Sequence, residues 1–190
     1  MTHQLEFLRS QVTETLALDR PRLSLTIIKS LNVCAIGRAR PADAGKLRTC
    51  EVFFGKWPCG RVVTKRRAPS PFLVPMMLQQ FLAELESRWG SDDPINLAAF
   101  TLWSLNFIHP FVDGNGRAAR AACYFVLCLK AGRWLPGPAI LPEMIEQNRA
   151  EYVAAVRAAD GPVLEGPLDL EPLQSLLGRL VGEQLDAGDP

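Results

Sequence analysis

Histidine is scarce in this sequence: His3 and His109 are the two in 190 residues. Any acid–base role for a histidine away from the terminus therefore falls on His109. The five cysteines, Cys34, Cys50, Cys59, Cys123 and Cys128, are odd in number and form no C-x-x-C pair, which argues against a zinc site or a complete disulfide framework and for free thiols. Excess charge of one sign is lacking too. The formal net charge of +1 provides no overall field toward nucleic acid or an anionic membrane, so any phosphate handled here must be bound locally. No stretch of about 18 apolar residues occurs, and the first residues lack a basic segment followed by an uninterrupted apolar one. A soluble, cytoplasmic protein is expected. Internal repeats, low-complexity tracts and long linkers are missing as well, and with 48% hydrophobic and 22% charged residues the expectation is a single globular domain over 1–190.

What is present is mostly helical periodicity. Residues 3–18 read as an amphipathic helix and Leu23 to about Ile36 as another. Between Arg38 and Pro71 prolines and glycines interrupt the chain, and Val52-Phe53-Phe54 and Arg61-Val62-Val63 read as two short strands around a turn at Gly55 to Gly60. Ser70 can cap the next helix, which carries Leu78, Phe81, Leu82, Leu85 and Trp89. Asp93-Pro94 starts a further helix, apolar nearly all round and hence central. A helix containing Ala118, Ala121, Phe125 and Leu129 follows Gly114-Asn115-Gly116 and closes at Gly132. Another, opened by Pro142, runs past Tyr152 to Gly161, and a last one spans about 170–186. The fold class is mainly α with one β-hairpin.

Residues 109–120, His-Pro-Phe-Val-Asp-Gly-Asn-Gly-Arg-Ala-Ala-Arg, lie between the two most apolar helices. Pro110 ends the first, and two glycines around Asn115 permit a turn whose successive N–H groups form an anion-binding concavity. The second helix points its positive end there. Arg117 and Arg120, three apart, add two guanidinium forks on one side. Asp113 at the lip is a carboxylate of the kind that holds Mg²⁺ together with substrate phosphates. His109 at the mouth can accept a hydroxyl proton, with an unperturbed pKa of about 6.5. Each feature alone has a plainer reading: a structural histidine, solvated arginines, a simple turn. Together they read as a polyphosphate cradle, because two arginines in a first turn oppose the helix dipole unless an anion is bound.

This segment resembles the signature of the Fic family, His-x-Phe-x-Asp/Glu-Gly-Asn-Gly-Arg-x-x-Arg. The resemblance extends over about residues 23–160, through the hairpin, the helix of 75–89, and Glu146-Gln147-Asn148-Arg149-Ala150-Glu151-Tyr152, which look like the flap and the helix after the motif. It implies a helical core with one hairpin flap and a protein adenylyltransferase that moves AMP from ATP to a hydroxyl of a target protein. His109 would be the general base and Phe111 the anchor of the loop. Asp113 would ligate Mg²⁺, Gly114, Asn115 and Gly116 would form the anion hole, and Arg117 and Arg120 would hold the β- and γ-phosphates. A target segment would dock along Val52 to Val63 as an added strand. Lys65-Arg66-Arg67 reads as a solvated loop. The intact Gly-Asn-Gly-Arg separates the chain from the branch resembling Doc, which transfers the terminal phosphate.

Alternatives are another donor, such as UTP or a CDP-choline-like molecule, or a nucleotide-binding interaction module without turnover. Asn148 and Tyr152 are candidates for the base pocket, or else a surface amide and a core aromatic. Many members of the family carry an inhibitory pattern Ser/Thr-x-x-x-Glu-Gly/Asn. Ser10 and Glu14 match it in part, but Thr15 follows, so inhibition by a small antitoxin-like partner, or none, is the expectation. Neither nucleic acid nor a membrane is an expected partner, and delivery into another cell's cytosol as an effector is compatible with the family.

Overall fold

The computed structural model of the chain describes residues 2–54, 66–161 and 168–188. Eight α-helices occur among them: α1 (Thr2–Leu16), α2 (Leu25–Ile36), α3 (Val74–Arg88), α4 (Pro94–Ile108), α5 (Asn115–Ala131), α6 (Leu141–Gln147), α7 (Arg149–Asp160) and α8 (Glu171–Asp186). Among the described residues no helix is long and apolar enough to cross a membrane.

Local chemistry sets most of the helix ends. The side chain of Ser24 accepts from the N–H of Ile27 at the start of α2, and Asp93 does the same for Asn96 at 2.9 Å, with Pro94 opening α4. Gly132 closes α5 in the left-handed conformation, φ 70°, donating to the carbonyls of Cys128 and Leu129. Ser70 makes no side-chain cap. A 3-10 turn over Pro71–Leu73 leads into α3 instead, and Pro71 supplies the preset φ.

α4 and α5 form the centre and make the most extensive helix contact among the described residues. Ala118, Ala119, Ala121 and Ala122 are all buried, and their small side chains let α4 come close. α1, α2, α3, α7 and α8 pack around this pair. Behind it, Gln184 of α8 is buried, accepting from the Leu141 N–H at 2.8 Å and donating to the Tyr124 hydroxyl and the Pro136 carbonyl at 3.0 Å.

Two expectations are corrected. The helix opened by Pro142 is broken at Asn148, whose φ −96° and ψ 35° separate α6 from α7. Its side-chain amide donates to the Met144 carbonyl at 2.9 Å, the kind of local bond with which asparagine competes against helix continuation. Arg66–Arg67 is not loop: it pairs antiparallel with Phe53–Phe54, with Phe53 opposite Arg67, and Glu51 meets Arg67 at 2.6 Å. The strand expected at Arg61 to Val63 and the turn at Gly55 to Gly60 lie outside the described residues.

Candidate active site

His109 ends α4 in the left-handed conformation, φ 52° and ψ 59°, and is the non-glycine residue with positive φ among the described residues. Such geometry is uncommon for a side-chain-bearing residue and persists only where its surroundings enforce it. Arg48 is what enforces it. The Arg48 side chain is 2% exposed and donates to the carbonyls of His109 (2.6 Å), Ile108 (3.2 Å), Pro69 (2.6 Å) and Cys50 (3.2 Å). Its own N–H donates to the Pro110 carbonyl at 2.9 Å. One guanidinium thus closes the C-terminus of α4 and ties it to both flanks of the strand pair. Burial pulls its pKa below the ordinary value, partly offset by the nearby Glu51 carboxylate.

The ring of His109 is oriented by its own helix. Nδ1 lies 3.3 Å from the Asn106 carbonyl oxygen. A carbonyl only accepts, so this bond takes a proton on Nδ1; in the neutral ring the lone pair then sits on Nε2, the tautomer a base needs.

Beyond Pro110 the loop is stapled from within. Phe111 is fully buried, and the Asn115 side chain both accepts from its N–H and donates to its carbonyl, each at 2.8 Å. Asn115 therefore commits its side-chain oxygen and one of its two amide N–H groups to the loop. Asn32, buried in α2, donates to the Asp113 carbonyl at 2.9 Å and accepts from the Gly45 N–H at 3.0 Å. Gly114 sits at φ 77°, where a Cβ would fall 2.5 Å from Cγ2 of Ile36. Gly116 is different: a Cβ there would meet only Nη1 of Arg120, at an ordinary 3.5 Å. The protein requires a glycine at the first position and not at the second.

The charged groups lie outward. Asp113 accepts from the Gly114 N–H at 2.6 Å and lies 3.7 Å from Arg117, whose other nitrogen donates to the Ala35 carbonyl at 2.5 Å. Arg120 pairs with Glu146 of α6 at 2.8 Å. Among the described residues no three His, Cys, Asp or Glu side chains gather as a metal cluster. A lone carboxylate at the lip fits a hard cation that draws its other ligands from phosphate and water, and does not fit a cage built from protein alone.

The structure thus brings Asp113, Gly114, Asn115, Gly116, Arg117 and Arg120 together with His109 around one loop and helix end. Tyr152 is buried in the core, and burial raises its hydroxyl to about 12 against the opposing pull of Arg120 and the Asn106 side chain. It is the core aromatic, and Asn148 is the amide that breaks the helix. Glu14 is exposed and accepts from Ser10 and Gln11 of its own helix. Sequence reading missed Arg48, Asn32 and Glu146. Asn32 left one trace, a lone amide on the apolar face of α2.

Comparison with known proteins agrees with this geometry. The model of the Fic/DOC family matches residues 22–127. A protein adenylyltransferase fic-1 from Caenorhabditis briggsae is 32% identical over 151 residues, covering 76% of this chain and 26% of the relative. A protein adenylyltransferase Fic from Drosophila persimilis is 30% identical, covering 87% and 29%. Among solved structures, a fragment of Fic-1 from C. elegans (residues 134–508 of that protein) superposes with a TM-score of 0.70 at 28% identity, over 97% of this chain and 48% of that one. The chain therefore spans a little over a quarter of the length of these curated relatives. With more than half of its residues matched by the family model and its helices superposing on a solved Fic protein, the chain belongs to the Fic/DOC family.

Proposed function

We propose that the chain is a protein adenylyltransferase, transferring AMP from ATP to a Ser, Thr or Tyr hydroxyl of a target protein and releasing pyrophosphate. The observation that carries this reading is the placement of His109, its ring held through Nδ1 at the Asn106 carbonyl and its backbone locked at the end of α4, beside a helix N-terminus that bears two arginines. The N–H groups of the first turn of α5, with Arg117 and Arg120, bind the phosphates and neutralise their charge. The target hydroxyl gives its proton to Nε2 as its oxygen bonds to the α-phosphorus. The bond from that phosphorus to the bridging oxygen of the β-phosphate breaks, and pyrophosphate leaves in line. Asp113 would hold Mg²⁺, which when bound draws charge from the phosphate oxygens.

The hairpin flap over about Val52 to Val63 receives the target segment as an added strand. Its base supports this, since the short ladder Phe53–Phe54 with Arg66–Arg67 is fastened through Arg48 to the His109 carbonyl. One domain over 1–190 is the organisation proposed. Inhibition by a small antitoxin-like partner, or none, is the regulation proposed, consistent with Glu14 bonding within its own helix.

Labelled nucleotide tests the reaction. Incubation with ATP labelled at the α or the γ position and a cell lysate should leave α label on protein and none from γ. Transfer of γ label alone would make the protein a kinase. Tight binding without labelling would make it an interaction module, and label from UTP or a CDP-choline-like donor would change the base read by the pocket.

A further inference from the structure

A guanidinium carries its N–H donors in one rigid plane. That of Arg48 directs them at three separate stretches of chain. At the end of α4, Nε donates to the His109 carbonyl (2.6 Å) and Nη2 to that of Ile108 (3.2 Å). Nη1 takes the Cys50 carbonyl (3.2 Å), just before the strand of Phe53–Phe54, and Nη2 also takes the Pro69 carbonyl (2.6 Å), just after Arg66–Arg67. The strand pair otherwise makes its backbone contacts chiefly with itself, through Phe53 opposite Arg67 and the Ala68 N–H on the Val52 carbonyl at 3.1 Å. Its spacing from the end of α4 is therefore set by one planar group that is itself buried.

That spacing matters to one class of acceptor and not to another. Water reaches Nε2 of His109 from any open direction and needs no docking. The hydroxyl of a protein added as a strand hangs from a backbone whose distance to the base follows the distance between strand pair and α4, and a misplacement of about 1 Å at a reacting group can cost on the order of 10²-fold in rate. We propose that Arg48 is a positioning residue that selects a protein hydroxyl over water, by fixing the strand pair relative to His109. The inference rests on the adenylyl transfer and strand docking proposed above. In transfer the hydroxyl oxygen bonds to the α-phosphorus, its proton goes to Nε2 and pyrophosphate leaves. In the competing reaction water supplies the oxygen and the proton, and the products are AMP and pyrophosphate. His109 and the cradle serve both reactions, so the register of the strand pair is what separates them.

Two variants of the full chain test the selection. Arg48→Lys keeps the charge, but an ammonium is a point donor and cannot span the three stretches. Pro69→Gly leaves Arg48 intact and slackens one flank of the strand pair, so the test stands even where Arg48→Lys does not fold. Two rates are measured with Mg²⁺ present: α label from ATP fixed on the proteins of a dialysed lysate, and labelled AMP released by the purified chain in buffer. Arg48→Lys should lower the ratio of transfer to hydrolysis by about 10- to 100-fold and Pro69→Gly by about twofold or more, while calorimetry gives a Kd for ATP within about threefold of the parent. A purely structural support would lower both rates alike, so an unchanged ratio in either folded variant overturns the proposal. AMP release by none of the proteins overturns it too, since water then never competes for the base. Absence of protein label from the parent removes the transfer reading itself, and the proposal with it.

Discussion

Toward the core, the loop between α4 and α5 has its backbone groups taken one after another. Arg48 takes the carbonyls of Ile108, His109 and Pro110, Asn115 both groups of Phe111, and Asn32 the carbonyl of Asp113. Toward the outside, the same loop and helix end carry Asp113, Gly116, Arg117 and Arg120, joined by ion pairs and by space that no protein atom claims. The difference teaches how a rigid cradle is made from a glycine-rich turn. Its inner side is over-determined by hydrogen bonds, so its outer side can hold charges ready for a ligand without collapsing onto them.

The largest test of this division lies at its edge. His109→Ala should lower transfer by about 10² to 10⁴-fold while ATP affinity stays near that of the parent, since the ring serves the reaction and the Arg48 bond uses only the backbone. Labelling rates beside calorimetry would show it, and near-parental transfer by the folded variant would remove the base assignment.

An inner change should act on stability as well as on rate. Arg48→Met removes the guanidinium donor from four carbonyls, that of Ile108 in a buried bond and the others half-buried, with an expected loss of about 3 kcal/mol in urea unfolding and a fall in transfer as His109 loses its anchor. A stable Arg48→Met protein with full activity would break the contrast.

The two motif glycines place both sides in one experiment. Gly114→Ala should cost about 2–4 kcal/mol of stability, from positive φ and the clash with Ile36, whereas Gly116→Ala should cost less than about 1 kcal/mol yet weaken ATP binding. Equal melting shifts in the two variants would deny that they face different demands.

The smallest effect belongs to a residue outside the site. Glu14→Gly removes bonds confined to α1, with an expected cost of about 1 kcal/mol for a helical glycine and transfer within a few-fold of the parent. A large gain would show that Glu14 restrains the cradle despite its position, and would move the switch from a partner into the chain.

How far the sequence could be read follows the same line. Periodicity and caps were legible because their causes are local: Asp93 and Pro94 open α4, Gly132 closes α5, and the apolar run of each fills the core. The outer side was legible too, since residues 109–120 lie together in the chain. Arg48 was not, because nothing around Leu47-Arg48-Thr49 marks a guanidinium that will meet carbonyls about sixty residues away. Glu146 escaped for a like reason, its partner lying on another helix. The break at Asn148 came from a side chain competing with its own backbone, which the Asn148-Arg149 sequence did not by itself distinguish from continued helix.

The bond from Asn32 to the Asp113 carbonyl spans 81 residues of chain. Contacts of such separation form only after the intervening chain has been closed into a loop, which places them late in folding. α4 and α5, neighbours in sequence, can pair early, but their connecting turn stays unset until α2 and the segment of Arg48 arrive from the N-terminal side. During refolding, helical signal should therefore return ahead of nucleotide affinity, and for that interval the chain is folded without yet being competent.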